Sequence, residues 1–371
     1  MSKTIFVVDD NIGNIQVVAN FLKGEGYKVI VATNGKIALD SVKERSYDLI
    51  LLDIMMPDIS GFDVCQEIKS NPMTANIPVI FLTSKTDVEE ITKAFELGAV
   101  DYITKPFNYK ELLARVRTHI ELGESRESRR RELEVAKRIQ DSILPTNLDS
   151  IKGLRFCIKY LANSELSGDI YDVFEVLPGY VRIFLADATG HGINAALVTM
   201  LIKSEYEKLK EIIKDPAEIL SFLNNEFIRS YNQLKEIFPA FILDIDLNRK
   251  NISYASAGNC TQIFLSNSKI IDLEKTGRIL GIVEDCHYKQ KYYSISSGDK
   301  FLIFTDGLYE QFNEKDEEFG LKKIAESIEK MIHEPIDVII NNLFKILRDY
   351  IGPKQSFTHN DDVTVIGIEI D

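Results

Sequence analysis

The pattern of apolar and polar positions along this chain changes character near Pro145. Before that point, short uninterrupted apolar runs alternate with segments of helical periodicity, which is typical of parallel strands buried on both faces. Five such strand–helix repeats predict an α/β fold, a doubly wound five-stranded parallel sheet in the order 2-1-3-4-5. The predicted strands are Thr4–Val8, Lys28–Val31, Leu49–Leu52, Pro78–Leu82 and Val100–Ile103, and the predicted helices are Asn14–Lys23, Gly35–Glu44, Gly61–Ser70, Asp87–Leu97 and Tyr109–Ile120.

The stretch from Asn108 to Pro145 is rich in strong helix formers and is predicted to be one long helix or two abutting helices. It carries two apolar stripes, separated by a charged middle of both signs that contains Gly123. The second stripe is free to face another chain or a second domain, and we predict a parallel two-helix contact and hence a homodimer, although the stripe is shorter than three heptads. The stripes consist of Leu112, Val116 and Ile120, and of Leu133, Ala136, Gln140, Ile143 and Leu144.

Beyond Pro145 the apolar positions alternate with a period of two, around paired helical segments. This predicts an α+β domain, an αββα sandwich. We therefore expect a first domain at 1–122, a helical and possibly coiled-coil linker at 123–146, and a second domain at 147–371. The predicted strands are Phe156–Leu161, Tyr180–Leu185, Ala240–Asp246, Ile252–Ala257, Gln262–Leu265, Phe301–Phe304 and Val363–Ile368, with helices at Asn194–Ile213, Ala217–Leu234 and Gly320–Tyr350.

Composition narrows the possible functions of the chain. Its 371 residues suit two domains, and a net charge of −13 argues against a nucleic-acid partner. The four cysteines form no CxxC motif, so we expect reduced thiols in the cytoplasm and neither disulfides nor a zinc site. We also expect no signal peptide and no membrane-spanning segment.

Polar side chains collect at the carboxyl ends of the first domain's predicted strands. These positions hold Asp9, Asp10, Asp53, Thr83 and Lys105. An acid at a strand end often caps the next helix, but capping explains only one of the three acids. Three carboxylates at one sheet edge repel one another unless a cation lies among them, and oxygen ligands favour Mg²⁺.

This part of the chain resembles the receiver domain of two-component response regulators. The resemblance rests on Asp9–Asp10, on LLDIMMPDISG around Asp53, on Thr83 and on the KPF run that begins at Lys105. It implies that a histidine kinase or phosphotransfer protein phosphorylates Asp53. The alternative is an inert fold of the same class. The resemblance further implies a Mg²⁺ site of Asp9, Asp10, Asp53 and the Met55 carbonyl, a phosphoryl-binding Lys105 with a cis bond to Pro106, and switch residues Thr83 and Tyr102.

Four acidic motifs lie at strand ends or in glycine turns of the second domain, each next to an apolar strand. Any one of them alone would be an ordinary turn. Together they indicate one carboxylate cluster that binds Mn²⁺ or Mg²⁺, and two such ions can activate a water and clamp a phosphoryl group. The motifs are Ser167–Asp172, Asp187–Gly192, Thr305–Gly307 and Asn360–Thr364.

From about Leu133 onward the chain resembles the metal-dependent serine/threonine phosphatases of the type 2C superfamily. It is most similar to the bacterial branch that acts on phosphorylated anti-sigma-factor antagonists, including the lead-in ELEVAKRIQDSILP. The resemblance implies that Asp187 bridges two metals beside the Ala188 carbonyl. It further implies that Asp169 binds one metal, and that Asp306 and Asp361, in preference to Asp362, bind the other. The chain departs from the family pattern at Asn259, where His is more usual.

Two further polar residues have open roles. His191 is either a general acid or a locally bonded turn residue, and we favour the turn residue. Asp172 either supports Asp169 or is a surface acid.

The sequence thus predicts a response regulator with protein phosphatase output. The alternative is a catalytically inactive adaptor of the same fold that sequesters a partner, although all four ligand acids are present. A DNA-binding regulator is disfavoured by the charge and by the lack of a helix-turn-helix pattern.

Overall fold

The chain divides into two units, Met1–Glu132 and Leu133–Asp371, each described here by itself. The structure is a computed structural model that describes residues 2–84, 88–190, 192–258, 261–352 and 361–371. His191 and Asn259 therefore lie outside the described residues. None of the helices in the described ranges has the length and apolar character needed to span a bilayer.

The first unit is a parallel sheet in the order β2-β1-β3-β4-β5, as predicted. Successive strand residues point to opposite faces, and each face packs against helices. Helices α1 and α5 cover the face that includes Ile5 and Val7, and α2, α3 and α4 cover the face that includes Phe6 and Val8. The elements are β1 Thr4–Val8, α1 Ile12–Gly24, β2 Lys28–Ala32, α2 Gly35–Glu44, β3 Leu49–Asp53, α3 Gly61–Ser70, β4 Val79–Thr83, α4 Val88–Glu96, β5 Asp101–Thr104 and α5 Tyr109–Ser142.

Helix α5 is one continuous element of 34 residues, and Gly123 does not interrupt it. Its first apolar stripe lies in the core of the first unit. The second stripe differs from the prediction at its end, because Gln140 is buried and Ile143 and Leu144, which follow the helix, pack into the core of the second unit. These three residues are therefore not available to a second chain, and the homodimer stays a prediction.

The second unit is a sandwich of two antiparallel five-stranded sheets, with orders β13-β10-β9-β8-β7 and β12-β11-β14-β15-β6. The sheets share a core that includes Leu185, Phe241, Phe301 and Ile366. Helices α6 and α7 cover the outer face of the first sheet, and α8 and α9 that of the second, so the predicted αββα layering is confirmed. The elements are β6 Leu154–Leu161, β7 Asp169–Leu177, β8 Tyr180–Asp187, α6 Ile193–Leu209, α7 Pro216–Ser230, β9 Ala240–Asp246, β10 Asn251–Ala257, β11 Gln262–Ser266, β12 Lys269–Leu273, β13 Lys291–Ser294, β14 Lys300–Phe304, α8 Gly320–Glu329, α9 Ile336–Ile351 and β15 Val363–Ile370.

Strands β7, β12 and β13 were not predicted. Strand β7 begins at Asp169 and carries Asp172 in its middle, so its polar residues look like a turn when the sequence is read alone. Strands β12 and β13 are edge strands of four or five residues with half-exposed side chains. The predicted helix Gly320–Tyr350 is two helices, because Pro335 lacks the N–H that a helix interior needs.

A buried ion pair braces the first sheet of the sandwich. The guanidinium of Arg182 lies 2.7 and 2.6 Å from the two carboxylate oxygens of Asp244, and both side chains are essentially unexposed. The same guanidinium donates to the carbonyls of Lys210, Ile213 and Lys214 after helix α6. Arg182 therefore joins the strands to the chain between α6 and α7.

Replacing Arg182 with Met should lower the free energy of unfolding by about 3 kcal/mol, because it leaves a buried carboxylate without its cation. The matched control is Arg155→Met, since Arg155 is half exposed and lies 3.7 Å from its acidic partners. We expect less than about 0.5 kcal/mol for the control. Urea unfolding followed by circular dichroism measures both, and equal losses would contradict the bracing role.

Candidate functional site

Three acids meet at the carboxyl edge of the receiver sheet. Asp9 and Asp10 follow β1, and Asp53 ends β3, the neighbouring strand. One carboxylate oxygen from each lies within 4.8 Å of the others, and Asp9 and Asp53 are buried while Asp10 is exposed. Among the described residues, this is the only group of three or more acidic, histidine or cysteine ligands at that spacing. The arrangement suits a hard divalent cation.

Lys105 supplies the positive charge at this cluster. Its ammonium lies 2.7 Å from Asp9 and 2.9 Å from Asp53, and the bond from Lys105 to Pro106 is cis, as the resemblance implies. Burial raises the pKa of the Asp53 carboxyl above its usual value, the ammonium of Lys105 opposes this, and the charge of Asp9 adds to it. Asp53 is thus a buried acid that is held against a lysine.

The other predicted receiver residues lie on the neighbouring strands β4 and β5 and on the loop after β3. Thr83 ends β4 and is buried, and the side chain of Met55 is 64% exposed. Tyr102 is half-buried, its ring packed edge-on against Phe95 and under the guanidinium of Arg115. Its side chain therefore lies among residues of α4 and α5 in this structure.

The four predicted phosphatase acids come from four separate places in the second unit. Asp169 and Asp187 lie opposite each other at the ends of the paired strands β7 and β8. Asp306 opens a short 3₁₀ turn after β14, and Asp361 precedes β15. The ends of neighbouring strands therefore bring together residues that are far apart in sequence.

Two threonine hydroxyls orient Asp169. Thr305 Oγ1 donates to one of its carboxylate oxygens over 2.9 Å, and Thr364 Oγ1 donates to the same oxygen over 2.5 Å. The other oxygen, Asp169 Oδ1, is buried and has no hydrogen-bond partner among the residues that the structure describes, and the same is true of Asp306 Oδ1. Buried carboxylate oxygens without partners are costly, which is consistent with a cation that completes them.

Crowding changes the acidity of this cluster. Burial raises the pKa of Asp187 well above its usual value, and the charges of Asp169, Asp306 and Asp361 raise it further. Burial likewise raises the pKa of Asp169, although the two threonine hydroxyls oppose the shift. The four acids therefore lie close enough to affect one another's protonation.

Asp362 has a structural task that separates it from Asp361. Its two oxygens accept the backbone N–H groups of Asn163 and Gly168, each over 2.5 Å. Two nearby positions require glycine. A Cβ at Gly307 would clash with the Asp362 carbonyl, and a Cβ at Gly168 would clash with the Gly190 carbonyl. The Ala188 N–H donates to the Gly168 carbonyl over 2.8 Å. These contacts favour Asp361 over Asp362 as the ligand.

The structure contradicts both readings of Asp172. It is neither a support for Asp169 nor a surface acid, because it is buried and lies 2.7 Å from the ammonium of Lys203 and 3.0 Å from that of Lys210. Both lysines also pair with Glu207. Asp172 therefore ties β7 to helix α6.

Gln140 reaches the Asp169 loop from helix α5. Its amide donates to the Ser167 carbonyl over 2.7 Å, and its oxygen accepts the Ser167 N–H over 3.0 Å. The Ser167 hydroxyl in turn accepts the backbone N–H of Asp169 over 3.1 Å. Sequence reasoning placed Gln140 on an apolar stripe, and it gave no role to Thr305 or Thr364. The adjacency of each threonine to an acidic motif was the available signal.

Comparisons with known proteins agree with this architecture. Residues 178–371, more than half of the chain, match the model of the stage II sporulation protein E (SpoIIE) family. The chain belongs to the SpoIIE family. Residues 5–117 match the response regulator receiver domain. The chain is thus a receiver domain joined to a SpoIIE phosphatase domain of the type 2C class.

Curated relatives share the receiver part. A probable cyclic di-GMP phosphodiesterase of Vibrio cholerae is 44% identical over 124 residues, which cover 33% of this chain and 28% of that protein. The DNA-binding response regulator MtrA of Mycobacterium tuberculosis is 41% identical over 120 residues, covering 32% and 51%. The chain therefore spans about half or less of the length of these relatives.

Solved structures share the fold of the second part. The SiaA-PP2C domain of Pseudomonas aeruginosa superposes with a TM-score of 0.60 at 22% identity, covering 67% of this chain and 99% of that one. The RsbU and RsbW domains of a Mycobacterium tuberculosis protein give 0.50 at 19% identity, covering 61% and 63%. At these identities the likeness shows the fold alone.

Asp187→Asn should stabilise the metal-free protein. The pKa of Asp187 is raised in the folded state. Its ionisation therefore lowers the stability of the fold at pH values above its usual pKa of 3.8 and has no effect on stability at pH values below it. We expect a gain of about 1 kcal/mol or more near pH 7.5 and little gain near pH 4. Urea unfolding in a chelator measures this. Asp141→Asn, which changes an exposed acid, is the control. A loss of stability at neutral pH in Asp187→Asn would contradict the raised pKa of Asp187.

Proposed function

We propose that this protein is a response regulator whose output is metal-dependent hydrolysis of phosphoserine or phosphothreonine on a small partner protein. The observation that carries the proposal is the mutual influence of Asp169, Asp187, Asp306 and Asp361, with two buried carboxylate oxygens that have no partner among the described residues. The SpoIIE family match over residues 178–371, which include Asp187, Asp306 and Asp361, supports it. Such an arrangement is expensive for a protein that does not bind cations there.

The donor set suits two Mn²⁺ or Mg²⁺ ions, because all its ligand atoms are oxygens. In the proposed site, Asp187 would serve both ions with the Ala188 carbonyl as a neighbouring ligand, Asp169 would hold one ion, and Asp306 and Asp361 would hold the other. When bound, the ions supply an activated water and neutralise phosphoryl oxygens during in-line displacement.

The remaining residues of the site position these acids. Thr305 and Thr364 hold one oxygen of Asp169, which leaves its second oxygen available to a cation. Asp362 fixes the backbone of the loop that precedes Asp169. The protein thereby meets the demand that a phosphoryl-transfer site be organised before the substrate arrives.

The proposed substrate is a phosphorylated protein of the anti-sigma-factor-antagonist type. Its support is the resemblance of the lead-in and the acidic motifs to that branch of the phosphatases. The likeness to a structure that contains RsbU and RsbW domains is in keeping with the same class of partner, although it bears on the fold only. The net charge of −13 is in keeping with a protein partner and not with nucleic acid.

The proposed input is phosphorylation of Asp53 by a histidine kinase or phosphotransfer protein. A Mg²⁺ ion held by Asp9, Asp10, Asp53 and the Met55 carbonyl would assist the transfer, and Lys105 would pair with the phosphoryl oxygens. Thr83 and Tyr102 are the proposed switch residues. The buried position of Asp53 against Lys105 supports this assignment.

The proposed route from input to output is helix α5. Its first turns belong to the receiver core, and Gln140 near its end makes two hydrogen bonds to the loop of Asp169. An amide side chain carries a donor and an acceptor side by side, which matches the N–H and C=O of Ser167. A shift or rotation of the helix end would therefore move the backbone from which Asp169 projects.

Hydrolysis of an aryl phosphate with Mn²⁺ tests the site. We expect turnover in the wild-type protein and a loss of about 100-fold or more in Asp187→Ala, because the bridging ligand is removed. Asp149→Ala changes an exposed acid and should leave the rate unchanged. Calorimetric titration with Mn²⁺ separates the alternatives: a wild-type chain that binds no Mn²⁺ and has no activity would indicate the inactive adaptor.

Gln140→Leu should uncouple the phosphatase from the receiver. We expect the rate of the wild-type protein to change when beryllofluoride occupies the receiver, and the rate of Gln140→Leu to respond less than half as much. Asn224→Leu is the matched control, because Asn224 also bridges loop backbone, at Gly281 and Val283, away from Asp169. An undiminished response in Gln140→Leu would exclude this route.

A further inference from the structure

Asp9 occupies the most demanding position in the receiver cluster. It is fully buried, and carboxylate oxygens of Asp10 and Asp53 lie within 4.8 Å of its own. A buried carboxylate is costly unless hydrogen-bond donors complete it. The positions of those donors decide how the group is oriented.

Within the described part of the chain, three groups donate to the Asp9 carboxylate, and one of these three is charged. The Asn11 N–H lies 2.9 Å from Oδ1, and the Lys105 ammonium lies 2.7 Å from Oδ2. The side-chain amide of Asn14 lies 3.1 Å from Oδ1 and 3.1 Å from Oδ2. Asn14 is therefore the one donor among these three that contacts both oxygens, from the first turn of helix α1.

Contact with both oxygens constrains the rotation of the carboxylate group. Donors on each oxygen resist rotation about the last bond of the side chain: the Asn11 N–H and the Lys105 ammonium each hold one oxygen, and the Asn14 amide adds a contact to both. Since Asn14 is neutral, it stabilises the anion without cancelling its charge. A lysine at this position would compete with a divalent cation, and leucine would leave two buried lone pairs without a donor.

We propose that Asn14 is a positioning residue of the receiver's cation site. Its amide contacts both oxygens of the Asp9 carboxylate and holds that group in place for a divalent cation, without adding a second positive charge beside it. The inference rests on the proposed Mg²⁺ site, and it gives a role to a residue that none of the sequence motifs includes. Asn14 acts through Asp9 and does not itself hold the cation.

Calorimetric titration of the full chain with Mg²⁺ tests this role, with Asp53→Ala run in parallel to identify the heat that belongs to the receiver site. We expect Asn14→Leu to weaken Mg²⁺ binding at that site about tenfold or more, because a hydrogen bond to a charged group is lost. Asn34→Leu is the matched control. Asn34 caps helix α2 through the Ile37 N–H and contacts no acid of the cluster, so its affinity should stay within about twofold of wild type.

A second variant separates positioning from folding. Asn14→Lys should keep or raise the midpoint of urea unfolding in metal-free buffer, yet bind Mg²⁺ at least tenfold more weakly, because its ammonium replaces the cation. Equal Mg²⁺ affinity in wild type, Asn14→Leu and Asn14→Lys would overturn the role of Asn14 alone. Identical titrations of wild type and Asp53→Ala would instead overturn the receiver Mg²⁺ site, and the inference with it.

Discussion

Both units of this protein depend on holding carboxylates close together against their mutual repulsion. The ends of adjacent strands place Asp9 beside Asp53 in one unit and Asp169 opposite Asp187 in the other. In a poorly solvated site, such pairs repel far more strongly than they would in water. The two units differ in how this repulsion is offset. The positive charge of Lys105 contacts both acids of the first pair, whereas the hydroxyls of Thr305 and Thr364 that contact Asp169 are neutral.

This difference has a chemical consequence. A cluster with its own lysine is tolerable without a metal, because the Lys105 ammonium contacts both Asp9 and Asp53. In the second cluster the hydroxyls that contact Asp169 carry no charge, and burial and repulsion raise the pKa values of Asp169 and Asp187. The second cluster would therefore gain more from binding cations, as the proposed metal-dependent hydrolysis requires.

Sequence patterns predicted those parts of the structure that depend on local rules. Acids that directly follow apolar strands were assigned correctly to strand ends, because a parallel or sandwiched sheet brings those ends together whatever the loops do. Strand β7 was missed because Asp172 breaks its apolar pattern, and the lysines that make this acid tolerable lie 31 and 38 positions further along the chain. The burial of Gln140 could not be predicted either, because Gln140 forms hydrogen bonds with the backbone of Ser167, and residue types do not identify a backbone partner.

The tie between Asp169 and helix α5 is what makes the proposed control by a single helix physically reasonable. The four acids repel one another in a buried site, and the backbone at Asp169 is tied through Ser167 to Gln140 on helix α5. Because this repulsion depends on distance, a small movement of the Asp169 loop would change the free energy of assembling the acids around cations. In the proposed mechanism, the hydrogen bonds that hold the loop would therefore set how readily the site binds cations, and a helix that moves them would regulate hydrolysis without touching the substrate.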